Sequence, residues 1–445
     1  MSDLRERGER ALARLVEASA AERFAISFAA LVCSVLVGTA IILVSGRVAD
    51  CTSAAFVLTH PAPFGLPRLF SVGFCYDPIA VYDRLFLGAL GDPLKDGWGP
   101  LTPFSGGPLN PFREGWNPLN RQIAVTLRET TVLIFTGLSV AVAFRAGVFN
   151  IGTQGQLVVG GLASALAVLA AAPYVSGLVG TLVLVPLALV VGALGGGAYG
   201  AIPGLLKAYA DANEVITTIM LNFVATGVVG YLVLNHFKDP ESAATQTRSL
   251  PEYADFPALL FDPRNDFSIL ALLVGVAVVA GVYYLLTRTS FGYDLRTSGL
   301  QPEAAEYGGV DAKRTVVTSF ALSGALGGIA GALYVVMILG QYQTGVPSYG
   351  FDGITVSILA GNNPLGVGFA ALLFGVLKSG TVVVDFATDV PPQLVGVLRG
   401  LIILFVAMPE FFRLLGRRAE SVQRRVGRGA NRVAADGGRG GENDE

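Results

Sequence analysis

The sequence holds little that could break or make a bond. Its two histidines, His60 and His236, are far apart, and its three cysteines show no metal-ligand spacing, so neither a nucleophile–His–acid set nor a metal centre can be assembled. No GxxxxGK[ST] phosphate loop occurs; the nearest Lys-Ser pair, Lys378-Ser379, lacks the preceding glycine and lies in an apolar run. The remaining candidates are groups that bind rather than react. Glu214, Thr218 and Asn222 recur every four residues and make a polar stripe on an otherwise apolar helix, with Thr217 beside it. Asp211 with Glu214 three residues on reads as a capping-box variant that starts this helix. Lys378 and Asp385, seven apart, share a face of a late helix; an intramembrane charge is a functional candidate, with a structural ion pair or snorkelling as the alternative.

The elements that hold these groups are hydrocarbon spans. Of 445 residues, 52% are hydrophobic and 14% charged, whereas soluble domains carry about 25% charged residues. Mean hydropathy is +0.59, and a net charge of −2 with a pI near 5.9 gives no support for nucleic-acid binding. Predicted spans are Phe24–Ser45, Thr130–Phe149, Gln156–Ala172, Leu178–Leu206, Val215–Asn235, Phe267–Leu286, Val316–Leu339, Leu365–Phe386 and Leu394–Met408. Arginines 5, 7, 10, 14 and 23 precede the first, which is too long for a leader and is read as a retained span. The Arg-rich tail after Met408 also favours the cytoplasm, and nine crossings would put it outside. The short run Ile354–Ala360, ending at Gly361-Asn362-Asn363-Pro364, supplies the tenth crossing as a short or broken helix.

The expected fold is therefore all-α: a polytopic integral membrane protein of about ten transmembrane helices, with both termini cytoplasmic. Its expected divisions are a cytoplasmic segment 1–23, a first helix 24–45, a long extracytoplasmic loop 46–129, a core 130–415 and a cytoplasmic Arg-rich tail 416–445. In the outer loop, Asp77–Asp92 reads as an interfacial helix. Cys51 and Cys75 both fall in that loop, where oxidation permits a disulfide between them. Glycines recur at 192, 196, 200 and 204, and again at 324/328 and 327/331, the spacing of close helix packing.

One interval, Thr287–Thr315, is too charged for hydrocarbon: it holds Arg288, Asp294, Arg296, Glu303, Glu306, Asp311, Lys313 and Arg314. Its centre, Pro302-Glu303-Ala304-Ala305-Glu306, reads as a short helix closed by Gly308-Gly309.

Several stretches together resemble one family. Phe144–Gln156 (FRAGVFNIGTQGQ) is similar to a hallmark of the ABC-importer permeases for nucleosides and simple sugars, relatives of the branched-chain amino-acid permeases; Gln154 stands where that family usually has Glu. Asp211–Asn222, Gly292–Gly331 and the GFDGITVSILAGNNPLG stretch also resemble it, and Pro93–Asn120 looks like an insertion. The resemblance implies a permease that does not hydrolyse ATP itself. It implies partnership with an ABC ATPase subunit, a second permease (a paralogue or a copy of itself) and an extracytoplasmic substrate-binding protein. The chain would bind no cofactor and meet membrane lipid. On this reading Asn150, Gln154, Gln156, Thr217, Thr218, Asn222, Asn362 and Asn363 line or support the route of a hydroxyl-rich neutral ligand. Pro302, Glu303, Ala304, Ala305, Glu306, Gly308 and Gly309 receive the ATPase motion. A branched-chain amino-acid permease, an ion-coupled transporter built on Lys378 and Asp385, and a membrane lipid enzyme are the alternatives.

Overall fold

The computed structural model describes residues 20–59, 71–92 and 117–407. Residues 1–19 of the expected cytoplasmic segment 1–23, most of the insertion and the Arg-rich tail lie outside the described residues. The chain divides into two units, residues 1–78 with 393–445, and residues 79–392.

In the first unit, α1 (Ala20–Val48) is followed by a two-stranded antiparallel sheet, β1 (Phe56–Thr59) and β2 (Ser71–Phe74), with Phe56 opposite Phe74. A disulfide joins Cys51 to Cys75, whose Cα atoms are 5.8 Å apart. The Cys75 amide donates to Gly46 O at the end of α1 (2.9 Å), so the crosslinked turn is anchored on the helix. The final apolar helix, Pro392–Ala407, also belongs here.

The second unit carries α2 (Pro78–Phe86), α3 (Arg121–Arg145), α4 (Thr153–Ala171), α5 (Gly177–Ala210), α6 (Glu214–Leu232), α7 (Ile269–Arg288), α8 (Ser290–Leu300), α9 (Pro302–Tyr307), α10 (Ala312–Leu333), α11 (Tyr349–Leu359) and α12 (Pro364–Ala387); the helix that ends the described chain is α13. Eight helices among the described residues are long and apolar enough to cross a membrane, and α13 is a shorter apolar helix. The tenth segment is α11, which starts at Tyr349, five residues before the run visible in the sequence. At about 1.5 Å per residue its eleven residues span only about half of a bilayer core. The chain is an all-α polytopic membrane protein.

Caps explain several boundaries. The Asn120 side chain accepts from Ile123 N, so α3 starts nine residues before the expected span and draws Arg128 and Glu129 into the helix. The capping box expected at Asp211 does not form. Asp211 adopts φ 48° as the C-cap residue just after α5, and Asn213 caps α6 by accepting from Val215 N and Ile216 N. Glu214 instead pairs with Lys207 (3.3 Å).

The core is a glycine seam. A Cβ built on Gly192 would lie 2.9 Å from Gly328 O, and one on Gly200 2.6 Å from Phe320 O; Gly196 and Gly324 press on each other's backbones in the same way. On the other side of α10, Gly331 meets the backbone of Leu157 and Gly161 in α4. Helices α4, α5 and α10 thus pack main chain on main chain, with dispersion contacts replacing a hydrophobic effect that lipid cannot supply. Beyond the wider π-helical turn Tyr334–Leu339 that extends α10, the following segment pairs with the α6–α7 connection: Leu250 N donates to Gly340 O (2.7 Å), Thr247 N to Tyr342 O (2.9 Å) and Thr344 N to Thr245 O (3.1 Å).

Gly328→Val has no room to relax because its neighbours are backbone atoms; a loss of about 1–3 kcal/mol is expected, read as a lower Tm in detergent. Gly227→Val, with no atom within 4 Å of the added carbon, should leave Tm unchanged.

Candidate functional site: a polar clamp around two breaks in the helices

Between α3 and α4 the chain is non-helical from Ala146 to Gly152, with Gly147 at φ 71°. A segment of this kind among membrane helices has to satisfy its amides from neighbouring side chains. Asn150 is fully buried and does much of this. Its Nδ2 donates to Gln156 Oε1 (3.0 Å) and to Ser323 Oγ (2.7 Å), while its Oδ1 accepts from Gly152 N (2.9 Å) and from Gln156 Nε2 (3.2 Å). Ser323 Oγ donates to Ser139 O (2.6 Å), and Ser139 Oγ lies 3.2 Å from Thr153 Oγ1. From α6, Asn222 donates to Ile151 O (2.9 Å) and accepts from Gly155 N (2.8 Å), while Thr218 Oγ1 accepts from Ile151 N (3.3 Å).

The second break, before α11, is held by Gln154. Its Oε1 accepts from Gly350 N (2.8 Å) at the start of α11, and its Nε2 donates to Pro347 O (3.0 Å). One side chain therefore supplies both an acceptor and a donor. A carboxylate can only accept, so the glutamine at this position matches the backbone it faces.

Beside this neutral clamp lies an ionic one. Lys378 Nζ is 3.0 Å from Asp352 Oδ2 and 3.6 Å from Glu129 Oε2, and it sits 3.8 Å over the Tyr349 ring. The Tyr349 hydroxyl donates to Glu129 Oε2 (2.8 Å), and Arg128 reaches Glu129 (3.3 Å) and Asp266 (3.5 Å). The ion pair between Lys378 and Asp385, one of the alternatives their spacing allowed, is not formed. Lys378 turns toward α3 and α11, and Asp385 remains exposed.

Six of the eight expected route residues lie at the clamps or beside them, but they differ in use. Asn150, Gln154, Gln156, Thr218 and Asn222 join the network. Thr217 bonds only to its own helix, at Asn213 O and Glu214 O. Asn362 and Asn363 are apart from it, in the turn from α11 to α12. Asn362, at φ 55°, accepts from Ser357 Oγ (2.9 Å) and through its carbonyl from Arg145 Nε (2.9 Å); Asn363 caps α12 at Leu365 N (3.2 Å). Sequence reasoning missed Glu129, Tyr349, Asp352, Ser139 and Ser323. Reading Asn120 as a cap would have placed Glu129 inside α3; nothing local singles out the two serines.

The polar interval folds as expected at its centre. Pro302 occupies the first turn of α9, Glu303, Ala304 and Glu306 are exposed, Ala305 is buried, and Gly308 with Gly309 (φ 85°) ends the helix. Leu300 at the end of α8 and Tyr307 at the end of α9 are 87% and 95% exposed, so large apolar side chains flank the short helix on both sides. Helix α8, just before it, touches the first break directly: Gly299 lies on Ala146 and Gly147, backbone against backbone.

The family model for the permease component of branched-chain amino acid transport systems matches residues 122–407. The chain belongs to that family. It is a multi-pass plasma-membrane transport subunit and not an enzyme, and membership implies association with an ATPase subunit and a substrate-binding protein. A nucleoside ABC transporter permease protein, NupB of Lactococcus lactis, is 31% identical over 81% of this chain and 92% of its own length. A guanosine ABC transporter permease protein, NupP of Bacillus subtilis, is 36% identical over 67% of this chain and 86% of its own. A glucose ABC transporter permease protein, TsgB13 of Haloferax volcanii, is 32% identical over 66% and 79%.

A cavity of about 490 Å³ lies by the α6–α7 connection, lined by Thr181, Glu252, Asp255, Asp266 and Met337 among others. Burial pushes the Asp255 carboxyl up from 3.8 to about 7, against a hydrogen bond from Phe256 N that lowers it; the Asp266 charge adds to the rise. The folded state thus binds a proton here that the unfolded state does not, and this group adds stability as pH falls from about 7 toward 3.8, which is lost as pH rises through 7. Asp255→Asn should flatten the dependence of Tm on pH in that window.

Gln154→Glu should open the second break, since the carboxylate faces Pro347 O without a proton to give. Transport is expected to fall at least about tenfold, equivalent to about 1.4 kcal/mol, with membrane insertion unchanged on immunoblots of membrane fractions.

Proposed function

We propose that this chain is the nucleoside-conducting permease of an ABC importer, paired with a paralogous permease. The observation that carries the reading is a buried network made of Asn, Gln, Thr and Ser around two helix breaks, in a chain whose relatives include four permeases described as nucleoside or guanosine transporters. A ligand rich in hydroxyls and ring nitrogens exchanges hydrogen bonds with such groups and needs no paired charge. A zwitterionic amino acid would call for charged or helix-terminal partners, and the ionic clamp has its charges engaged with one another.

The pairing follows from unequal similarity. In L. lactis the chain is 31% identical to NupB and 26% to NupC, and in B. subtilis 36% to NupP and 26% to NupQ, all four described as nucleoside or guanosine permease proteins. The chain takes the NupB- and NupP-like place, and a NupC- or NupQ-like chain takes the other.

In this mechanism the route residues act mainly as supports. Asn222 and Thr218 hold the first break, Gln154 holds the second, and Asn150, bonded to Gln156 and Ser323, ties the first to α10. Helix α9 faces the cytoplasm and is pressed by the ATPase. Its movement passes through α8 to the Gly299–Gly147 contact, then along residues 146–152 to Gln154 and α11. The ligand is delivered to the opposite face, where the α6–α7 connection is strapped to residues 340–344.

The test is uptake by the reconstituted importer with radiolabelled guanosine, glucose and leucine. Guanosine or another nucleoside should be taken up and should compete for its own entry; leucine uptake without nucleoside competition would overturn the reading. Replacing Glu303–Glu306 with Gly and Ser should abolish uptake while expression and insertion persist, because α9 loses its helical form.

A further inference from the structure

A groove of about 450 Å³ separates the first turn of α3 from the last two turns of α12, lined by Arg121, Val125, Ser379, Val382, Val383 and Phe386 among others. The two helices are antiparallel here: Gly375 packs on Thr126 and Thr130, so residues 379–387 run beside residues 121–125. The groove therefore opens at one membrane boundary. Helix α2 marks the same level, since Leu85 lies on Gly380 and Gly88 on Val383, and Arg84 of α2 is ion-paired with Asp92.

The walls are apolar except for Ser379 at depth and the Arg121 guanidinium with Gln122 at the mouth. Arg121 is exposed and makes no hydrogen bond or ion pair within the described residues, although Asp266 is close enough to feel its charge. It stands in the first turn of α3, which contains no acidic residue. A cation there is disfavoured by the helix dipole and is relieved by an external anion. Over about 10 Å of helix, calculated at 1.5 Å per residue from Ser379 to Phe386, the groove runs from this charge into hydrocarbon depth. Val382 and Phe386 are left exposed along it. Asp385 does not line it.

We propose that this groove is a binding site for one anionic phospholipid. Arg121 takes the phosphate, Gln122 a headgroup hydroxyl, and an acyl chain lies along Val125, Val382, Val383 and Phe386. An uncharged small molecule would leave Arg121 unmatched, and an acidic soluble ligand would leave the apolar walls wet.

The experiment is native mass spectrometry of the detergent-purified full chain, titrated with phosphatidylglycerol or phosphatidylcholine of identical acyl chains. The intact protein should retain phosphatidylglycerol about fivefold more than phosphatidylcholine, the worth of one basic residue at a membrane surface. Arg121→Gln should erase that preference and Arg121→Lys should restore most of it. Val382→Trp, which fills the groove from its exposed side, should reduce retention of both lipids, with the elution profile on size exclusion unchanged as the folding control. Equal retention of both lipids by the intact protein, or a preference untouched by Arg121→Gln, overturns the assignment. Retention unaffected by Val382→Trp does so too, because the lipid is then bound elsewhere or the groove is filled by another part of the chain.

Discussion

A backbone amide in hydrocarbon has to find a partner, and this requirement governs the centre of the structure. Where the helices run unbroken the amides satisfy themselves. At residues 146–152 and again before Tyr349 they do not, and the side chains of Asn150 within the first break, Gln154 of α4 and Thr218 and Asn222 of α6 supply the missing bonds. An unsatisfied polar group at this depth costs several kcal/mol, so the breaks persist only because Asn150, Gln154, Thr218 and Asn222 surround them. The polar residues of this permease are the condition for its irregular backbone.

That view changes what the polar stripe on α6 means. Read from spacing alone, Thr218 and Asn222 look like ligand groups facing a channel. In the structure both amide atoms of Asn222 are occupied by main chain, Nδ2 by Ile151 O of the first break and Oδ1 by Gly155 N in the first turn of α4. Their effect on a passing solute is exerted through the shape of that break. The ionic clamp works alongside: with two carboxylates on one ammonium and the Tyr349 hydroxyl on Glu129, it fastens α11 to α3 and α12 while burying few charges unpaired.

Much of the fold was legible because it is written in local terms. Apolar run lengths marked the spans, glycine spacing marked the α5–α10 seam, Pro302 and Gly308-Gly309 marked α9, and the odd number of full-length spans pointed to a short helix near residue 354. Long-range pairings were hidden. Lys378 and Asp385 share a face by arithmetic, yet the partner of Lys378 comes from Asp352, twenty-six residues earlier, and from Glu129 on α3. Glu129 escaped notice because hydropathy averages over it, whereas the Asn120 cap that puts it in α3 is a single-residue signal. Asp211 shows the reverse failure: a sound local motif, lost because Asp211 closes α5 in a left-handed conformation and Asn213 caps α6 in its place.

The glycine seam between α5 and α10 also bears on how such a protein changes shape. Helices ordinarily slide past one another by letting side chains hop between rotamers, and this interface has few rotamers to offer because its contacts are carbonyl oxygens and α-carbons. With α4 locked to the same pair, three helices form a stiff keel. Alternation between two states must then be carried by helices outside that block, among them α6 with its open Gly227 and Gly230, pivoting against a block that keeps its form throughout the cycle.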